Sequence, residues 1–94
     1  MDKSAQLTAM DKILRELEDL KNSETAVLKK IAQIEAENMN LGVSVLELAL
    51  PDIHEQVNTS IEQVSEVISR FTEHRHQFAK DHKLEAPEDA SAGS

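Results

Sequence analysis

The chain has 94 residues, a net charge of −8, and no cysteine, tryptophan or tyrosine. That is one small domain at most, with no disulfide or thiolate chemistry. No segment is basic, which argues against a nucleic-acid binder built on phosphate neutralisation. The acidic balance also disfavours anionic membrane surfaces.

Glycine and proline are scarce, whereas an all-β fold needs turn residues every 8–12 positions. Ala, Leu, Ile, Val, Glu, Lys and Gln fill the chain instead, as they do in long helices. No apolar run approaches the ~20 residues needed to cross a bilayer, so no membrane insertion is expected. The start, Met1-Asp2-Lys3, leads into a polar stretch rather than an apolar core. The expected location is the cytoplasm, with non-classical secretion left open.

A first helix is predicted over about residues 4–40. Met10, Ile13, Leu17, Leu20, Val27, Ile31, Ile34 and Leu41 follow steps of three and four, with Glu24 and Asn38 in the same series. That is a heptad seam with two polar positions. Leu7, Leu14 and Leu28 widen the stripe, as a bundle helix requires. Thr8 and Asp11 resemble an N-cap signal, with Ser4 as an earlier start. Asn22-Ser23 favours caps over helix interiors and marks a candidate bend. Asn38 is expected to fix register, and Glu24 to face solvent.

The stretch NLGVSVLELALPDI, residues 40–53, predicts a stop, a tight turn over 40–44 and a fresh start. Gly42 supplies a left-handed residue. Ser44 and Glu47 form a capping box, flanked by Val43 and Leu48 as a staple. The second helix is predicted over about 45–82, with Leu46, Leu50, Ile53, Val57, Ile61, Val64, Ile68, Phe71 and Phe78 as its stripe. Pro51 predicts a kink near Leu50, or a second helix that begins at Pro51 itself. Arg75, between the two phenylalanines, marks where packing is expected to thin. Residues 83–94 read as a disordered acidic tail.

The fold class is therefore all-α, an antiparallel two-helix hairpin of coiled-coil character. Each helix carries a stripe wider than one partner can cover, and a chain of this size is marginal alone. A four-helix bundle is the simplest closure, by homodimerisation or with another helical chain. Met10, Ile13, Leu17, Leu20, Val27, Ile31 and Ile34, with Ile53, Val57, Ile61, Val64, Ile68 and Phe71, are the expected oligomer seam. At the tip, Val43, Val45, Leu48, Ala49 and Leu50 make the helix start apolar nearly all round, a candidate partner-docking surface.

Chemistry-bearing constellations are weak. His54 stands alone, and His74, His76 and His82 lack the spacing and carboxylates of a helical zinc site. They read as solvated histidines near a helix end, where positive charge suits the dipole. Glu16, Glu18, Asp19, Glu35 and Glu37 read as a solvated face with pairs such as Asp11–Arg15. A two-helix rod offers no pocket to perturb a catalytic group. No enzyme, cofactor or metal is expected.

The functional expectation is a protein–protein interaction module: an adaptor, an assembly subunit or a small secretion chaperone. In length, central turn and tail the layout resembles the WXG100-type helical hairpins exported by type VII secretion, which implies a secreted hairpin. The family's Trp-x-Gly turn is absent, because Gly42 follows Asn40-Leu41, and so is its tyrosine-based export signal. A structural subunit of a larger coiled-coil complex shares the same physics.

Overall fold

The structure, a computed structural model, describes residues 2–84. It consists of two antiparallel helices, α1 (Lys3–Leu41) and α2 (Ser44–Asp81), packed along their length into a rod of 60 × 26 × 17 Å. The cross-links run in opposite directions along the two helices: Asp11 with Arg75, Glu24 with Ser60, Glu35 with His54.

α1 begins earlier than Thr8 or Ser4 would place it. Asp2 is the N-cap, and its carboxylate accepts from the Ala5 N–H at 2.7 Å. The side chain thereby satisfies one of the amides that a helix start leaves open. Thr8 instead donates back to the Ser4 carbonyl within the helix. α1 runs without interruption through Asn22 and Ser23.

The reversal sits where the glycine predicts it. Gly42 has φ +73°, and its N–H donates to the Asn38 carbonyl at 2.6 Å. A Cβ at Gly42 would meet nothing within 4 Å, so the glycine is required by its backbone angle and not by crowding.

The expected capping box is not the device that starts α2. Val43 is the N-cap and has no side-chain cap bond, while Ser44 is already helical. Asn38 takes over the task. Its Oδ1 accepts from the Val43 N–H at 2.9 Å, and its Nδ2 donates to the Val43 carbonyl at 3.1 Å. With 5% of its surface exposed, Asn38 is a buried clasp across the turn, its side-chain amide engaged by the Val43 backbone. Pro51 lies inside α2, which passes through it unbroken, so the second helix does not begin at Pro51.

The interhelical seam is a regular heptad pattern, apart from Leu46 next to the turn. α1 contributes Leu7, Met10, Leu14, Leu17, Lys21, Glu24, Leu28, Ile31, Glu35 and Asn38; α2 contributes Leu46, Leu50, His54, Val57, Ile61, Val64, Ile68, Phe71, Arg75 and Phe78. All are half-buried or buried. Arg75 does not mark the end of packing. It is a seam residue, and Ala79, four residues on, is fully buried. Glu24 is not solvated either: it is half-buried, one carboxylate oxygen accepts from Ser60 at 2.7 Å, and the other is buried without a partner.

α2 ends in a Schellman cap. Lys83 has φ +56°, its N–H donates to the Lys80 carbonyl, and the Leu84 N–H donates to the Ala79 carbonyl at 2.8 Å. Lys83 and the half-buried Leu84 thus belong to the folded part, where the sequence reading placed the start of the tail. The remainder of that expected tail, 85–94, lies outside the described residues.

Candidate interaction surface

The core of this rod is thin. Ile31, Leu50 and Ala79 are the buried hydrophobic residues among those described. What the hairpin leaves uncovered is more informative. Ten large hydrophobic side chains among the described residues are exposed, and they fall into two sets.

The first set lies along one side of the rod. Ile13, Leu20 and Val27 on α1, and Ile53 and Val67 on α2, are each between 43% and 49% exposed. On an α-helix each residue advances about 100°, so the row of Ile13 lies about 80° to one side of the α1 seam and Asp11 about 80° to the other. The same arithmetic puts Ile53, Val67 and His74 to one side of the α2 seam. The two rows share a face, because Ile13, Leu17, Val67, Arg70, Phe71 and His74 line one open groove of about 540 Å³. The His74 ring stacks on Phe71 within that groove, 6.1 Å between centroids.

The opposite edge of the seam is closed by polar contacts. Arg75 donates to both Asp11 oxygens, at 2.8 and 3.2 Å. His54 Nδ1 lies 2.9 Å from Glu35, an ion pair when the imidazole is protonated. The hairpin therefore has one side closed by polar contacts and one side with a mainly apolar open groove.

This arrangement redistributes the expected oligomer seam. Met10, Leu17, Ile31 and Ile34 of α1, and Val57, Ile61, Val64, Ile68 and Phe71 of α2, lie at or beside the contact between the two helices. Ile13, Leu20, Val27 and Ile53 lie outside it, on the open face. α1 carries three adjacent apolar rows, and α2 covers two of them. The sequence does not reveal which two. The row of Ile13 is more apolar than the row of Leu7, Leu14, Lys21, Leu28 and Glu35 that is used. The signal that could have found the pairing is complementarity: Glu35 and Asp11 lean toward the α2 row that offers His54 and Arg75.

The second set surrounds the turn. Met39, Leu41, Val43, Val45 and Leu48 range from 37% to 83% exposed. Of the expected docking residues, Val43, Val45, Leu48 and Ala49 are exposed. Leu50 is not: at 8% exposed it belongs to the core, and only a small part of it reaches the pocket beside the tip. Met39 and Leu41, unmarked in the sequence reading of the tip, join it.

The other histidines sit near the far end of the rod. His82 packs against Phe78 at 4.6 Å between centroids, and Lys3 lies 5.8 Å above the same ring. Among the described residues, no three histidine or acidic side chains cluster so as to hold a metal ion. None of the described helices is long and apolar enough to cross a membrane. Comparison with protein-family models, curated proteins and solved structures finds no match for this chain.

Proposed function

We propose that this chain is a non-enzymatic interaction module that completes a helical bundle by covering its open face with further helices, from a second copy of itself or from a partner. The single observation that carries the reading is the placement of Ile13, Leu20, Val27, Ile53 and Val67 on one side of the rod, opposite the edge closed by Asp11–Arg75 and Glu35–His54. Contiguous apolar surface of this kind marks interaction sites on soluble proteins. Five half-exposed aliphatic side chains present roughly 400 Å², about half of the ~800 Å² that a stable interface buries on each partner. The aliphatic stems of neighbouring lysines and glutamines supply further area.

An adaptor, an assembly subunit and a small secretion chaperone all use such a face in the same way: an amphipathic helix lies in an apolar groove. The thin core supports this reading, because a bundle of four helices buries the third row that two helices leave wet. Sedimentation at micromolar concentration tests it. The wild-type chain is expected to self-associate, or to do so with its partner, and Leu20→Ser with Val67→Ser is expected to abolish association while circular dichroism retains helix. Association that persists undiminished in the double variant would overturn the assignment of this face.

A further inference from the structure

We infer that the tip of the hairpin is a second docking surface, and that its occupant is a basic amphipathic helix of another protein. The inference rests on the reading of the chain as an interaction module, but not on the open side face.

Charge is sharply divided along the rod. Residues 31–69, the tip half, hold seven carboxylates and no lysine or arginine. Residues 2–30 and 70–84, the other half, hold eight acids and all ten bases. Glu37, Glu47, Asp52 and Glu55 around the tip thus have no lysine or arginine within their half of the rod. Met39, Leu41, Val45 and Leu48 stand among these carboxylates, each at least 70% exposed. Beside them Glu35, Asn38, Met39, Leu46, Glu47, Leu50 and Pro51 line an open pocket of about 180 Å³, mostly apolar and with two carboxylates in its wall. A side chain the size of leucine fits the pocket, and a cationic neighbour would meet its carboxylates.

The backbone points the same way. The last carbonyls of a helix lack intrahelical donors, and at the end of α1 only that of Asn38 is answered by the turn, from Gly42. Pro51 has no N–H to give the Glu47 carbonyl one turn earlier. The tip therefore offers hydrogen-bond acceptors, negative charge and apolar surface together, which suits a partner rich in cations and donors with an apolar stripe. Like charge opposes tip-to-tip contact with a second copy, and the same repulsion opposes an anionic lipid surface.

The test uses the full chain and three labelled synthetic peptides: an amphipathic leucine–lysine helix, the same composition scrambled, and the helix with glutamate for lysine. Anisotropy is expected to show binding of the first alone, weakening as salt is added. Val45→Gln with Leu48→Gln, both at exposed positions, is expected to lower that affinity about ten-fold with helicity unchanged, as loss of an apolar anchor does. Glu47→Gln with Asp52→Asn is expected to lower it as well, whereas the side-face variant Leu20→Ser with Val67→Ser keeps it. Absence of binding, equal binding of the acidic or scrambled peptide, or full affinity in the Val45/Leu48 variant would overturn the proposal. So would a change of oligomer mass, in place of peptide affinity, in that variant. Sedimentation of the side-face variant reports separately on the open face, so failure at one surface is distinguishable from failure at the other.

Discussion

Replacing Asn38 by alanine removes both hydrogen bonds that tie the end of α1 to Val43. Each is worth about 1 kcal/mol net. The Val43 groups left behind are only partly accessible to water, since Val43 is 37% exposed. The expected cost is about 2 kcal/mol, which for a chain of this size lowers Tm by roughly 10 °C. Ser44→Ala is the matched control. A serine that capped α2 would cost about 1 kcal/mol on removal. Ser44, however, is exposed and already helical, with Val43 as the cap residue. Its loss is expected to change stability by less than about 0.5 kcal/mol. Asn38→Asp sharpens the comparison. It keeps the acceptor for the Val43 N–H but turns a carboxylate oxygen toward the Val43 carbonyl, so it is expected to be at least as damaging as alanine. Thermal unfolding followed by circular dichroism measures all three, at one protein concentration because self-association would shift Tm by mass action. A Ser44→Ala variant that loses more than Asn38→Ala would refute the assignment of the clasp.

Gly42→Ala is expected to cost about 1 kcal/mol and Gly42→Asn less, because the penalty lies in φ and asparagine tolerates the left-handed region; denaturant midpoints give the ranking. Arg75→Ala and Asp11→Ala should each destabilise by about 1 kcal/mol or less, with a coupling in a double-mutant cycle that shrinks in high salt. Glu24→Leu combined with Ser60→Ala is expected to raise Tm, since it removes a buried carboxylate oxygen that has no partner and replaces it with apolar packing. Val27→Ser, on the open face, is expected to leave an isolated hairpin within about 0.5 kcal/mol of wild type while weakening association in sedimentation.

The helices, their number and the place of the turn are properties of the sequence. Thirty-nine residues without proline or glycine, with apolar side chains every three or four positions, form a helix in any compact arrangement, and Gly42 is the one residue there that reverses the chain without a Cβ penalty. The width of the stripes is also local information, and it already says that two helices do not satisfy each other. Which rows meet is different. A stripe three rows wide presents two possible seams, and the choice depends on what the opposing helix offers at each level. His54 with Glu35 and Arg75 with Asp11 lie along one edge of the seam, and Ile13, Leu20, Val27, Ile53 and Val67 are left on the other side. The same holds at the turn. Ser44 and Glu47 have the spacing of a capping box, but the clasp comes from Asn38, five residues before Val43, because folding back the chain brings that buried amide against the backbone first. Periodicity along one helix cannot encode such pairings, since each is a property of two surfaces placed together.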